Sequence, residues 1–533
     1  MRFSFALCGR VCAYSIAVLL HCSFGTAADV ATDPSPSVLD VLEYRIEGAD
    51  LLSQVEVEAA VYPFLGPGKT PEDVEAARAA LEKAYADKGY QTVAVSVPAQ
   101  EVKEGIVALK VTEGKVGRLR IRGSRYFDLD EIKEAAPSLA EGTVPNFEAV
   151  SKDIVALNQL PDRRVTPTLK AGKTPGTVDV DLNVEDAFPL HGNLEVNNRY
   201  SKDTTKLRLT GSARYDNLWQ LGHSVNVGYQ VAPQRPEDGQ VYSGSYLARF
   251  PSVPWISLLG YGVKQDSDIS TLGSMNVAGK GNIVGGRAIF TLPGDSEFFH
   301  TLSVGLDRKR FQERVSLDDL EAYTTPITYY PMTASYAATW MGEGATTQLN
   351  LGATVNFRGA GSDWEEFDNK RYKATGAFSY LRGDFSHTAD LPYGLQAYGK
   401  VQGQLSNDAL ISSEQFSAGG LDTVRGYLES EALGDNGLLG AVELRSPSMT
   451  DYLGDDVLNE WRFHAFLDGG HLWINEPLPE QEARFSLWSY GLGTRIQLLD
   501  YLNGSLDVGF PMIGQEGTEA GGRRVHVRLW GEF

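Results

Sequence analysis

The sequence predicts a transmembrane β-barrel of about sixteen antiparallel strands, preceded by two small α+β modules. Three observations carry this reading. Period-two alternation recurs from residue 191 to the end, and the connections there alternate between short and long. Between residues 39 and 187 a strand, helix, helix, strand, strand pattern occurs twice. Composition agrees, since 56 Gly, 24 Tyr and 22 Phe suit many short strands joined by tight turns.

The first element is a secretory signal peptide over 1–28. Arg2 and Arg10 precede or border an apolar run of ten residues, 11–20, and Gly25, Thr26, Ala27 and Ala28 supply a cleavage region. His21 before Cys22 is too bulky and polar for a lipidation signal. All three cysteines, Cys8, Cys12 and Cys22, lie in this segment, so the mature chain is expected to hold no disulfide. Beyond it no run approaches about 18 apolar residues, so no membrane-spanning helix is expected. The net charge of −21 argues against nucleic acid as a partner, because phosphates would be repelled.

A short linker, 29–38, leads to the first module, 39–115, and the second follows over 116–187. Arg45-Ile46-Glu47-Gly48 ends the first strand of one copy and Arg120-Ile121-Arg122-Gly123 that of the other, at an offset of 75 residues. In the first copy Thr70 is positioned to cap a helix, with Pro71 in its first turn and Glu72 and Asp73 facing its positive end. Val74, Ala77, Leu81 and Tyr85 then form one apolar face, and Gly89 stops it. The second copy predicts helices over 129–136 and 147–160. A small sheet of this kind leaves an edge that either accepts an extended peptide or belongs to a plain spacer.

The barrel is expected over 188–533. Leu349, Leu351, Ala353, Val355 and Phe357 alternate with Gln348, Asn350, Gly352, Thr354 and Asn356, and two further segments, 206–215 and 395–404, behave alike. Each runs for roughly 9–11 residues, the length of a membrane-crossing strand. Strands are expected from 193–200 to 523–533, among them 327–341, 371–384 and 459–469. Long connections such as 266–280, 312–326, 359–370 and 406–437 fall on one side and short ones on the other. The terminal Phe533 suits an aromatic girdle position.

The longest connection, 406–437, spans 32 residues and contains Val424-Arg425-Gly426-Tyr427. The thirteenth strand contains Phe466-Leu467-Asp468-Gly469-Gly470. Parity sends Trp461, Phe463, Ala465 and Leu467 towards lipid, and Arg462, His464, Phe466 and Asp468 into the lumen. A loop folded inward therefore brings Arg425 to Asp468 as a charge-assisted pair.

These motifs, in this architecture, resemble the two-partner secretion transporters, the hemolysin-activator-like family of outer-membrane exporters, across nearly the whole mature chain. The resemblance implies two polypeptide-transport-associated (POTRA) domains, 39–115 and 116–187, and a sixteen-stranded barrel. Val424, Arg425, Gly426 and Tyr427 look like the signature of that family's inward-folded sixth extracellular loop. Phe466, Asp468, Gly469 and Gly470 look like part of the inner-wall motif against which the loop docks. The resemblance further implies a bacterial outer-membrane location with periplasmic N-terminal domains. Its partners would be a secreted polypeptide cargo recognised by the POTRA domains, outer-membrane lipid, and the barrel-assembly machinery during biogenesis. Two other readings share the architecture: a factor that inserts other barrels, and, less well supported by the two modules, a passive porin. One departure stands out. Family members often carry an N-terminal plug helix, and residues 29–38, with Pro34 and Pro36, are too few to form one.

No catalytic constellation stands out. Gly68-Lys69-Thr70 and Gly172-Lys173-Thr174 resemble the end of a phosphate-binding loop, but Pro63 and Pro167 occupy the position its first Gly requires. The eight His are scattered, no nucleophile elbow occurs, and neither a metal site nor a cofactor is expected.

Overall fold

The computed structural model describes residues 38–250, 252–266, 269–272, 275–278, 280–315, 323–450 and 457–533. The expected signal peptide and residues 29–37 of the expected linker lie outside these. Among the described residues no helix is long and apolar enough to cross a membrane. The chain forms two compact units that divide between Gly114 and Lys115.

In the first unit, strand Ile106–Glu113 lies between Glu43–Glu47, parallel to it, and Val93–Ser96, antiparallel to it. Helices Gln54–Val61 and Pro71–Asp87 cover this sheet's core. The second helix starts where a reciprocal cap satisfies two free backbone donors. Thr70 N–H donates to Asp73 Oδ2 at 2.8 Å, and Asp73 N–H donates to Thr70 Oγ1 at 3.4 Å. Val74, Ala77, Leu81 and Tyr85, spaced by three or four residues, are its buried face, and Gly89 leaves it at φ +87°. A two-stranded ribbon of Leu39–Val41 and Gly66–Lys69, which periodicity did not reveal, completes the unit.

The second unit opens with the same order. Thr177–Asp186 runs parallel to Lys115–Arg122 and antiparallel to Arg163–Ala171. Helices Leu129–Glu134 and Phe147–Leu157 bury Ile132 and Leu157 against Leu119, Val180 and Leu182.

The barrel then closes on itself. Its strands are β1 Leu190–Asn197, β2 Arg208–Leu218, β3 His223–Val231, β4 Gln240–Arg249, β5 Ile256–Asp266, β6 Lys280–Thr291, β7 Phe298–Val315 and β8 in two segments, Tyr323–Tyr329 and Met332–Gly342. There follow β9 Ala345–Asn356, β10 Phe378–Asp390, β11 Gln396–Ser406, β12 Asn436–Arg445, β13 Leu458–Trp473, β14 Arg484–Leu498, β15 Leu502–Pro511 and β16 Arg524–Glu532. Both segments of β8 pair with β7, and the break falls at Tyr330 and Pro331, the latter lacking an N–H for the ladder. β16 closes on β1 from Arg528 opposite Asn197 to Glu532 opposite Asn193. Gly192 and Phe533 then exchange two backbone hydrogen bonds of 3.1 Å, which returns the chain end to the side of the second module.

One strand starts later than its alternation suggests. The expected strand over 371–384 begins only at Phe378. Asp363 caps a helix over Trp364–Lys370 inside what reads as a loop, and Lys373 and Gly376, at φ +63° and +73°, interrupt the extended backbone.

Side-chain parity separates lipid from lumen. Along β13, Phe463, Ala465 and Leu467 are exposed on the outside, whereas His464, Phe466 and Asp468 are buried inside. Trp255, Tyr393, Tyr501 and Phe533 are exposed at the short-turn end, as an interfacial aromatic belt requires.

Candidate functional site

The connection between β11 and β12 folds into the lumen as a hairpin. Phe416–Ala418 pairs antiparallel with Ala432–Gly434, and the tip between them turns at Gly419 and Gly420, both at strongly positive φ. Apolar burial holds it there. Val424, Tyr427, Phe416, Ala418 and Ala432 pack against the wall residues Leu439, Leu472 and Leu487.

Arg425 sits at the end of this insertion and is 4% exposed. Its Nε and Nη2 donate to Asp468 Oδ2 and Oδ1 at 2.7 and 2.8 Å, a bidentate pair. Its backbone N–H adds a third bond to Asp468 Oδ2 at 3.1 Å. Nη1 donates to Glu443 Oε1 at 2.6 Å and to Asp507 Oδ1 at 3.2 Å. Beneath the guanidinium lies Phe466, its ring centroid 3.6 Å from Cζ. Three arginines meet three carboxylates here, because Arg445 and Arg495 also pair with Glu443, at 2.9 and 3.1 Å; His464 Nε2 lies 2.6 Å from Asp507 Oδ1.

The neighbouring motif residues complete the seat. Gly426, at φ +93°, donates its N–H to His526 Nε2 at 3.0 Å. The Tyr427 hydroxyl lies 2.7 Å from the Ile513 carbonyl and accepts from Trp488 N–H at 3.2 Å. Gly469 and Gly470 serve the wall rather than the loop. A Cβ on Gly469 would stand 2.4 Å from the Trp488 ring, and one on Gly470 would stand 2.2 Å from the Leu438 carbonyl oxygen.

Sequence reasoning paired Arg425 with Asp468 and put Phe466 and His464 on the lumen face, but missed Glu443, Asp507 and His526. Glu443, Asp507 and His526 come from β12, β15 and β16, and their parity was legible: His526 alternates with the exposed Val525, and Asp507 with the exposed Leu506. What parity cannot supply is the height of each residue along the barrel, which follows from strand register. Gly491 and Gly509 were missed too. A Cβ on Gly491 would stand 2.3 Å from Phe466 Cζ, and one on Gly509 would stand 2.6 Å from Gly426 N.

The loop has further anchors. Buried Asp435 accepts from Arg371 Nη2 at 2.8 Å and from the backbone of Leu410 and Asn475. Buried Glu414 accepts from Lys309 at 2.6 Å and from the Tyr380 hydroxyl at 2.8 Å. Arg199, on the segment after β1, pairs with Asp422 and Glu429 at 2.6 and 3.1 Å.

The sequence carried no expectation of a metal site, and spacing brought no group of metal-ligating side chains together. Among the described residues one set of three such side chains converges, Asp162, His191 and Asp216, away from the docked loop. These positions are far apart in sequence, which is why spacing did not reveal them.

Small α+β modules ahead of a closed sixteen-stranded barrel, its lumen occupied by its own loop, define a β-barrel protein of the outer membrane. Residues 176–496 match the haemolysin secretion/activation protein family ShlB/FhaC/HecB, and residues 39–114 match the ShlB-type POTRA domain. The chain belongs to this family, the two-partner secretion transporters of the outer membrane, with its N-terminal modules in the periplasm. It is similar to the outer membrane transporter CdiB of Dickeya dadantii, at 23% identity over 503 residues covering 88% of this chain and 82% of that one. It is also similar to the heme/hemopexin transporter protein HuxB of Haemophilus influenzae, at 20% identity over 431 residues, 79% and 74% of the two chains. The solved structure of CdiB from Escherichia coli shares the fold, with a TM-score of 0.67, 19% identity, and coverage of 95% of this chain and 93% of that one.

Proposed function

We propose that this chain exports one large partner polypeptide from the periplasm to the cell surface, without catalysing a reaction. The two modules, read as POTRA domains over 39–115 and 116–187, recognise the unfolded cargo, and the barrel lumen conducts it. The loop over 406–437 is the element that clears or guides the path, and Arg425 with Asp468 holds its resting position. The observation that carries this reading is how the loop is held. Ion pairs, hydrogen bonds and apolar packing fasten it, and among the described residues no strand ladder joins it to the barrel wall, so it can leave without unzipping a strand. The remaining expected partners, membrane lipid and the machinery that assembles barrels, follow from the outer-membrane location.

The test is co-expression with a candidate exoprotein, chosen as a large secreted repeat protein encoded beside this chain. Export is read as surface or medium exoprotein. Wild-type chain should support it, and chain lacking 39–115 should not, while its barrel still assembles. Export that persists without the first module would sink the recognition role.

A further inference from the structure

The junction between the second module and the barrel holds a cluster that loop docking does not use. Asp162 lies in the turn between helix Phe147–Leu157 and strand Arg163–Ala171, His191 is on β1 and Asp216 on β2. His191 Nε2 stands 2.9 Å from Asp162 Oδ1, 3.1 Å from its Oδ2 and 3.5 Å from Asp216 Oδ2. One ligand atom from each residue falls within 4.8 Å of the others. Both carboxylates are buried and the imidazole is partly exposed. His191 also lines an open cavity of about 530 Å³, together with Asn193, Ser212, Arg214 and Phe533.

We propose that Asp162, His191 and Asp216 form a binding site for a divalent cation of the zinc type, which ties the second module to β1 and β2. One imidazole nitrogen and two carboxylate oxygens are a donor set such an ion accepts, with bonds of about 2.0–2.2 Å. A tetrahedral ion with those bonds holds its ligands about 3.3 Å apart. The two histidine-to-carboxylate separations, 2.9 and 3.5 Å, lie within tenths of an ångström of that value, and all three ligand atoms fall within 4.8 Å of one another, so the carboxylates close in on the ion as it binds. A cation also serves both carboxylates that face the single ring nitrogen. Nε2 carries at most one hydrogen, whereas a dication on the neutral ring reaches both. Arg214 Nε, 2.7 Å from Asp216 Oδ2, then orients that carboxylate from outside the coordination sphere. The adjoining cavity leaves room for a water as fourth ligand.

The surrounding junction is already ordered, so binding needs little rearrangement. Ala187 N–H donates to the Asp162 carbonyl at 2.9 Å, Asp128 N–H to Gln220 Oε1 at 3.0 Å, and Tyr126 meets Phe188 edge-on at 5.5 Å. The alternative role is a plain hydrogen-bonded clasp from His191 to Asp162, which would take no metal.

The test uses the full chain, purified in detergent without a histidine tag and stripped with a chelator. Titration calorimetry with ZnCl2 should show one ion per chain. His191→Gln and Asp162→Asn should each weaken it by about tenfold or more, while His471→Gln, on the far part of β13, should leave it unchanged. Substituting Co2+ should produce visible absorption that His191→Gln removes. Heat-modifiable mobility on gels establishes that each variant is assembled, and Asp162→Asn, which lies outside the barrel, carries the comparison should His191→Gln fail to assemble. No binding by the wild-type chain, or binding untouched by the assembled variants, would overturn the proposal and leave the clasp.

Discussion

Arg425 lies over the ring of Phe466, its Cζ 3.6 Å from the centroid, while Asp468 on the same strand takes the edge of its guanidinium. Residues two apart on a strand share a face, so β13 offers one arginine both an aromatic seat and a counter-charge. Glu443 and Asp507 close the other side, and the loop end is held from three strands.

Arg425→Ala is expected to spare barrel assembly and to reduce export sharply. Removing one partner of a buried pair costs roughly 3–5 kcal/mol, and here three carboxylates lose it together. Barrel stability resides in the closed ladder, which the substitution does not touch. Asp468→Ala should be milder, because Arg425 keeps Glu443 and Asp507. Export at matched membrane levels checks the order, and near-normal export in Arg425→Ala would remove the docking role.

Gly491→Ala should release the same loop without altering any charge. Its Cβ would stand 2.3 Å from Phe466 Cζ and 2.2 Å from the Val508 carbonyl oxygen on β15, so the ring must move from under Arg425 and the strand pair must shift locally. The readout is cleavage within 407–435 by protease added outside intact cells, which should be faster than in wild type. Heat-modifiable mobility checks that the barrel is assembled, and unchanged cleavage in the assembled variant would show that the aromatic seat is dispensable.

Tyr427→Phe leaves the Trp488 N–H and the Ile513 carbonyl without their shared hydroxyl. Loss of such a buried partner costs about 1–3 kcal/mol. Hydrogen exchange should accelerate by about tenfold or more in 419–431, at 1.4 kcal/mol per factor of ten, with the barrel strands unaffected. Equal exchange in the two proteins would mean that the apolar contacts alone hold the tip.

In the periplasmic part, Asp181 provides a pH dependence. The hydrogen bond from Lys170 at 3.0 Å, aided by Arg120 at 2.8 Å, holds its carboxyl below the ordinary value although burial opposes this. A depressed value in the folded chain means stabilisation that is complete above the unfolded value of about 3.9 and disappears as pH falls through the folded one. Because the cations are half exposed, salt should weaken the effect. Exchange protection across 115–186 should drop on acidification below about pH 4, and Asp181→Asn should lose part of that drop. An identical acid response in the variant would assign the effect to other acids.

Much of the molecule was legible in one dimension. Alternation placed Asp468 and Phe466 in the lumen, and an inner helix face of Val74, Ala77, Leu81 and Tyr85 followed from spacing alone. The late start of β10 was not legible, because Lys373 adopts a left-handed backbone that its side chain does not announce.

Sequence by itself determined the alternating faces, the two repeated modules and the long loop with its Val424-Arg425-Gly426-Tyr427 tip, since each rests on the local periodicity of a strand, helix or turn. Tertiary structure alone decided which residues share a height in the barrel. Closing sixteen staggered strands sets Glu443, Asp468 and Asp507 around one guanidinium, and docking the second module sets Asp162 beside His191 and Asp216. Register and shear are properties of the whole closed sheet, so no single segment carries them.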